Sequence, residues 1–117
     1  MLVIRNAQMS AFRRAALTNY MAWVKYRLRT TFDEEVAPMS DEELAEFIWA
    51  ATDEANRMGI ELQPDAARFV EYAACFGPEF ARTNALPGAA EILNQSDVDG
   101  TSKIEMLDRL DGAPVRF

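Results

Sequence analysis

A helix-length segment in the middle of the chain has two opposite faces, one apolar and one acidic. On a helix from Ser40 to about Met58, one side carries Leu44, Phe47, Ile48, Ala51, Ala55 and Met58. This is the stripe by which a helix packs against a core. The other side carries Glu42, Glu46, Trp49 and Asp53, spaced at about 3.6 residues per turn. The pattern therefore predicts an amphipathic helix whose outer face is acidic and includes one large aromatic side chain.

Local signals define both ends of this helix. Ser40 and Glu43 are spaced as in a capping box, where each side chain accepts a hydrogen bond from a backbone N–H at the helix start. Gly59 is a typical C-terminal stop. The acidic residues at 41–43 also favour the positive end of the helix dipole. The charges of this first turn therefore have a structural explanation, which the acidic residues further along the helix do not share.

The first periodic segment of the chain runs from about Asn6, its predicted N-cap, to Phe32. Its apolar residues cover nearly half of the helix circumference: Met9, Phe12, Ala16, Leu17, Tyr20, Met21, Trp23, Val24 and Leu28. An arc this wide indicates contact with more than one neighbour. The segment is predicted to be the central helix of a bundle, or a helix partly covered by a partner, and a turn at 33–39 follows it.

Three further helices are predicted in the second half of the chain. Proline at position 64 and Gly-Pro at 77–78 delimit one helix, a shorter one spans 87–94, and the pattern recurs at 101–110. Strand-like alternation is absent from the sequence. We therefore predict an all-α fold, a compact bundle of about five helices with a long N-terminal helix. Residues 1–111 form the predicted helical domain, and 112–117 a short C-terminal tail.

Composition agrees with one globular domain. The 117 residues are 50% apolar and 26% charged, which is ordinary for a folded protein. The single cysteine, Cys75, cannot form an intramolecular disulfide, so no oxidising compartment is needed. The apolar run before Arg5 is too short for a signal peptide, and no apolar stretch has the length of a membrane span. We therefore expect a cytoplasmic protein.

Charge is distributed unevenly along the chain. Residues 1–32 contain six basic residues and no acidic one, whereas residues 33–117 contain six basic and nineteen acidic residues. The net charge of −7 makes nucleic acid and anionic membranes poor partners, because phosphate binding requires a concentrated basic field. A basic protein partner is favoured instead. Alternatively, the basic first helix packs beside acidic helices within the fold.

The sequence contains no catalytic constellation. It has no histidine, which removes the commonest general base and metal ligand, and one cysteine cannot form a thiolate zinc site. Cys75 is adjacent to an apolar helix face, as expected of a small buried hydrophobe without a base to activate it. Carboxylates on a solvated face lack the separated pKa values that acid–base catalysis requires. We therefore predict no enzyme and no cofactor.

A short acidic segment, Asp-Val-Asp-Gly at 97–100, resembles part of a calcium-binding loop. In the corresponding register, Gln95 occupies the first position and Met106 the twelfth, where a bidentate glutamate is required. A turn followed by a helix start near residue 100 explains the same residues. We therefore predict no metal site.

The acidic helix face remains as the candidate binding site, formed by Glu42, Glu46, Trp49 and Asp53. Tryptophan is enriched among the residues that dominate binding energy, which favours a protein interface. Two structural explanations stand beside this one. The carboxylates are also explained as a solubilising surface, and Trp49 as a side chain packed beneath a neighbouring helix or loop.

Several stretches carry a family resemblance that covers most of the chain. They are VIRNAQM at 3–9, ARFVEY at 67–72, FGPEF at 76–80, LPGAAEIL at 86–93 and KIEMLD at 103–108. Together they resemble a set of small helical proteins, of poorly defined function, that proteobacteria encode beside type VI secretion effector genes. The resemblance implies a genomic setting rather than a mechanism. Proteins in that setting commonly act as immunity proteins, or as chaperones and adaptors that load an effector.

Two functional hypotheses follow. In the first, the protein is a non-catalytic binding module for a secreted effector toxin, which it blocks or holds for delivery. In the second, it is a self-associating structural module, in which the wide apolar arc of the first helix forms a symmetric homodimer.

Overall fold

The chain folds into helices connected by short loops. The computed structural model describes the backbone of residues 11–114 and the side chains of residues 17–114, and it contains no strand in this part of the chain. The helices are, in order, α1 (Ala11–Thr31), α2 (Asp33–Val36), α3 (Asp41–Arg57), α4 (Gln63–Phe76), α5 (Ala89–Leu93) and α6 (Gly100–Asp108). The predicted all-α class is confirmed. The predicted N-cap at Asn6 and the end of the predicted tail lie outside the described residues.

The described residues form six helices where the sequence predicted about five. The difference is α2, a single turn of helix within the segment predicted as a turn. Its Val36 is fully buried, and Arg29 of α1 donates hydrogen bonds to the carbonyls of Val36 and Met39, both at 2.9 Å. A four-residue helix is too short to produce a periodic pattern, so only these tertiary contacts reveal it.

Helix α3 forms as its local signals predict. The Ser40 backbone N–H donates to Glu43 Oε1 at 2.8 Å, and the Glu43 N–H donates to Ser40 Oγ at 3.1 Å, which completes the capping box. Gly59 follows the helix with a φ of 83°, a conformation that favours glycine. The apolar stripe is confirmed, since Leu44, Ile48, Ala51 and Ala55 are buried and Phe47 and Met58 pack partly buried against the core.

Helix α4 is more enclosed than the described part of α1, residues 17–31. All eight residues from 66 to 73 are buried, and α4 packs against α1, α2, α3 and α6. Helix α1 instead buries one side, through Leu17, Tyr20, Val24 and Leu28, and leaves other residues at the surface. The sequence did not predict this central role for α4 because two of its buried residues, Arg68 and Glu71, are charged.

A buried charge cluster explains how α4 tolerates these residues. It consists of Arg27, Arg68, Glu71 and Asp108. Arg68 Nη1 lies 2.9 Å from Glu71 Oε1, and Arg68 Nε lies 2.9 Å from Asp108 Oδ1. Arg27 Nη2 approaches Glu71 Oε2 to 2.7 Å, and Tyr72 donates its hydroxyl proton to Asp108 at 2.5 Å. The cluster thus joins α1, α4 and α6 with two positive and two negative charges.

Helix α6 is fixed at its N-terminal end by a close backbone contact. A Cβ atom at Gly100 would lie 2.4 Å from the Gly59 carbonyl oxygen and 2.6 Å from the Ile60 Cα. Only glycine allows this approach without a backbone shift. Asp99 caps the helix by accepting a hydrogen bond from the Ser102 N–H at 2.7 Å, which confirms the predicted helix start near residue 100.

The described residues are compact, with a radius of gyration of 13.9 Å. A folded chain of this length is expected at about 13 Å. Within residues 11–114, no helix combines the length and apolar character that crossing a bilayer requires.

The buried charge cluster leads to a stability prediction. Replacing Glu71 with Gln removes the negative charge between two guanidinium groups. We expect a loss of about 3–5 kcal/mol in the free energy of unfolding, because the guanidinium charges remain buried without full compensation. Denaturant unfolding followed by circular dichroism measures this loss.

The matched control is Glu105→Gln, the same chemical change at an exposed position of α6. We expect it to stay within about 0.5 kcal/mol of the wild type. Equal stability of the two variants would contradict the structural role of the cluster.

Candidate protein-binding surface

The acidic residues of α3 divide into two groups, and the first group is without partners. Glu42, Glu46 and Asp53 are exposed. None of them makes an ion pair or a side-chain hydrogen bond with another residue in the described part of the chain. Their spacing of four and seven residues places them along one outer face of the helix. Three negative charges there are available to a partner.

The other acidic residues of α3 have structural roles. Asp41 lies close to two basic side chains of α1, and Glu43 belongs to the capping box. Glu54 is held by two arginines, with Arg57 Nη2 at 2.6 Å and Arg82 Nη2 at 3.1 Å. Burial alone would raise the pKa of Glu54, but these arginines outweigh it and lower the pKa. The structure thus distinguishes the unpaired residues Glu42, Glu46 and Asp53, which we call the acidic stripe, from the acidic residues of α3 that have structural roles.

Trp49 lies at the boundary between the acidic stripe and the core. Its side chain is half-buried and packs against the core, with its ring centroid 6.2 Å from that of Tyr20 on α1. Tyr20 is itself buried and shares a hydrogen bond of 2.8 Å with Thr52. Trp49 therefore packs partly beneath α1 and keeps part of its surface beside the carboxylates.

A second surface consists of Trp23, Tyr26 and Arg27 on α1, which we call the α1 aromatic surface. Trp23 is 39% exposed and Tyr26 68% exposed. The Arg27 guanidinium carbon lies 4.9 Å from the Trp23 ring centroid, within the range of a cation–π contact. Tryptophan, tyrosine and arginine are the residue types most enriched in binding hot spots. The sequence placed Trp23 in the apolar arc and did not single out Tyr26 or Arg27.

The three basic residues of α1 whose side chains are described lie close to acidic groups of the fold. Lys25 Nζ lies 3.6 Å from Asp41 Oδ2, and Arg29 Nη2 lies 3.8 Å from Asp41 Oδ1. Arg27 pairs with the buried Glu71. The alternative in which the basic helix packs beside acidic ones is therefore confirmed for these three residues. Among the described side chains of α1 and α3, the face of several unpaired charges is the acidic one.

Two features of the structure bear on possible chemistry: the arrangement of potential metal ligands and the environment of Cys75. No group of three or more potential ligand side chains is arranged to hold a metal ion in this part of the chain. Burial raises the pKa of the Cys75 thiol to about 11, and the negative charge of Glu35 adds to the rise. A thiol with this pKa is a weak nucleophile at neutral pH.

Comparison with known proteins does not assign a role to these surfaces. No family model, curated protein or solved structure matches the chain. The candidate surface is therefore defined by its own exposure, charge and packing: Glu42, Glu46, Trp49 and Asp53 on α3, with the α1 aromatic surface on the neighbouring helix.

The burial of Cys75 leads to a prediction for the pH dependence of its alkylation rate. We expect alkylation by iodoacetamide to be slow at pH 7. Its rate should rise about tenfold per pH unit up to about pH 10, because only the thiolate reacts and its fraction grows until the raised pKa is reached. Mass spectrometry of timed samples measures the rate, with glutathione as the control thiol. A plateau for Cys75 at the same pH as glutathione would contradict the burial effect.

Proposed function

We propose that the protein is a non-catalytic binding module for a secreted effector in the bacterial cytoplasm. In this proposal it acts either as an immunity protein that blocks the effector or as a chaperone or adaptor that holds it for type VI secretion. Two arguments support the choice: the unpaired acidic face of α3, and the resemblance to small helical proteins encoded beside effector genes.

The observation that carries the proposal is the combination of Glu42, Glu46 and Asp53 with Trp49. Three unpaired carboxylates attract a basic partner over distance and accelerate association. Trp49 adds an aromatic side chain that is already half-buried and packed beside Tyr20. A side chain held in place loses little conformational entropy on binding, so more of its contact energy contributes to affinity.

The two roles differ in what happens to the effector. An immunity protein for a basic toxin such as a nuclease covers the active site, where the carboxylates of α3 take the place of substrate phosphates. A chaperone or adaptor instead binds a segment remote from the active site. The purified effector assayed with and without this protein therefore separates the roles, since only an immunity protein abolishes its activity.

Partner capture is the first experiment. The tagged protein is purified from its native cells and the co-purifying proteins are identified by mass spectrometry. We expect one basic, secretion-associated protein that Glu46→Lys fails to recover. Recovery of an acidic partner, or equal recovery by wild type and Glu46→Lys, would contradict the proposal.

The affinity of the captured complex then tests the α3 face. The combined variant Trp49→Ala and Glu46→Lys should weaken binding by about 100-fold or more, because it removes the aromatic contact and reverses one charge. Isothermal titration calorimetry measures the change, and circular dichroism verifies that the variant remains folded.

The matched control is Glu105→Lys, which changes the net charge by the same amount at an exposed site on α6. Glu46→Lys and Glu105→Lys alter the general electrostatic attraction to a basic partner equally. Glu105→Lys should therefore keep an affinity within a few-fold of wild type. A loss of affinity equal to that of Glu46→Lys would show that the location on α3 is irrelevant.

A self-associating module is the second candidate, and the exposed α1 aromatic surface favours it. In this case Trp23 and Tyr26 of one copy are covered by a second copy in a symmetric dimer. Light scattering would give twice the chain mass of 13.2 kDa, and the double variant Trp23→Ala and Tyr26→Ala would give the single mass. Leu62→Ala, at an exposed leucine on another part of the surface, is the control that should remain dimeric. A monomeric wild type would exclude this candidate.

A further inference from the structure

A cleft of about 350 Å³ lies where the C-terminal ends of α3 and α5 meet α6. Small-molecule sites begin at about 300 Å³, so the cleft has room for a compact ligand. Met58, Leu93 and Val98 give it apolar walls, and the polar part of its lining includes Arg57 and Lys103. It lies apart from the α1 aromatic surface and beyond the end of the acidic stripe.

Lys103 is the unusual residue of this cleft. It is 4% exposed, and its ammonium group donates hydrogen bonds to the Met58 and Leu93 carbonyls, both at 2.8 Å. An ammonium group has three N–H donors. Among the described residues, no third acceptor is present and no carboxylate forms an ion pair with Lys103. A lysine this deeply buried is normally paired with a negative charge.

The Met58 and Leu93 carbonyls compensate only part of the positive charge of the Lys103 ammonium group. Both lie at helix C-terminal ends, where the unsatisfied carbonyls have partial negative charge. They hold Lys103 in place and link α3 to α5 through α6. The third N–H has no acceptor among the described residues, and Lys103 is one of the residues that line the cleft.

The remaining charge of the cleft is also positive. Arg57 bonds Glu54 through one nitrogen and keeps further N–H donors in its guanidinium group. None of the residues that line the cleft is acidic, although the whole chain has a net charge of −7. A lysine without a carboxylate partner among the described residues and an arginine with further N–H donors, in a lining that also contains apolar side chains, are suited to a ligand with one anionic group and a small apolar body.

We propose that this cleft binds a small organic carboxylate, whose oxygens accept hydrogen bonds from the Lys103 ammonium and the Arg57 guanidinium. Its apolar body packs on Met58, Leu93 and Val98. Such a ligand completes the hydrogen bonding of Lys103 and supplies the counter-charge that the described residues lack. The site is independent of the proposed effector-binding surface, so either proposal stands if the other fails.

The test compares benzoate with benzamide, which has nearly the same shape but no charge. Each is titrated into the ¹⁵N-labelled protein, and amide shifts are followed at Gly59, Asn94, Gln95 and Ser96. We expect saturable shifts with millimolar benzoate and at least tenfold weaker binding of benzamide, because a charged acceptor strengthens the hydrogen bonds. Equal binding of the two compounds, or no saturable shift with benzoate, would overturn the proposal.

Two arginine variants localise the effect. Arg57→Gln should reduce benzoate affinity by about tenfold through the loss of one charge-assisted hydrogen bond. Arg82→Gln is the matched control, because Arg82 also bonds Glu54 but does not line the cleft. Its affinity should equal that of wild type. An equal loss in both variants would assign the effect to Glu54 and overturn the role of Arg57.

Lys103→Met removes the buried charge while keeping the side-chain length. We expect this variant to lose benzoate binding, and circular dichroism verifies that it is folded. If Lys103→Met does not fold, the comparison of Arg57→Gln with Arg82→Gln tests the cleft instead. A peptide with a free C-terminus that binds the cleft more tightly than benzoate, while its amidated form does not bind, would place the carboxylate on a polypeptide. That result would overturn the small-molecule assignment.

Discussion

The pairing of Arg68 with Glu71 and Asp108 is the interaction on which the arrangement of the helices depends. Burying a single ion costs several kcal/mol, so these charged groups are stable in the core only when they are paired. Glu71 also receives Arg27 from α1, and Arg68 donates to the Pro114 carbonyl at 2.7 Å. A shift of α1 or α6 along α4 would leave a buried charge without its partner. The cluster therefore fixes the register of three helices and of the chain that follows α6.

The same internal pairing decides which charges the surface presents. Arg27 is held by Glu71, so its guanidinium stays beside the Trp23 ring. Lys25 and Arg29 are close to Asp41, so much of the basic charge of α1 is directed toward the neighbouring helix. The carboxylates of the α3 stripe have no such neighbours in the described residues. Among the described side chains, three basic residues of α1 are therefore close to acidic groups of the fold, whereas the acidic stripe of α3 is unpaired.

Local sequence signals were sufficient to predict α3. The burial of charged residues elsewhere depends on contacts between distant parts of the chain, which the sequence pattern does not show. The capping box, the apolar stripe and Gly59 lie within one segment, so the sequence contains all that is needed to define that helix. The burial of Arg68 and Lys103 depends on partners such as Asp108 and the Met58 carbonyl, which are 40 and 45 residues away along the chain. The exposure of Trp23 likewise depends on how α1 packs on its neighbouring helices. From residue type alone, Arg68 and Lys103 are expected at the surface and Trp23 is expected in the core.

The structure places Trp49 between the two positions that the sequence interpretations describe, neither fully exposed nor fully buried. A fully exposed tryptophan would have to be ordered by the partner, and a fully buried one would offer no contact surface. Trp49 is half-buried and packs beside Tyr20, whose hydroxyl shares a hydrogen bond with Thr52, so part of its side chain is covered by the core and part is exposed. Rigid aromatic anchors beside complementary charge combine slow dissociation with fast association. The proposed binding face of α3 would therefore combine an aromatic side chain packed against the core with unpaired carboxylates.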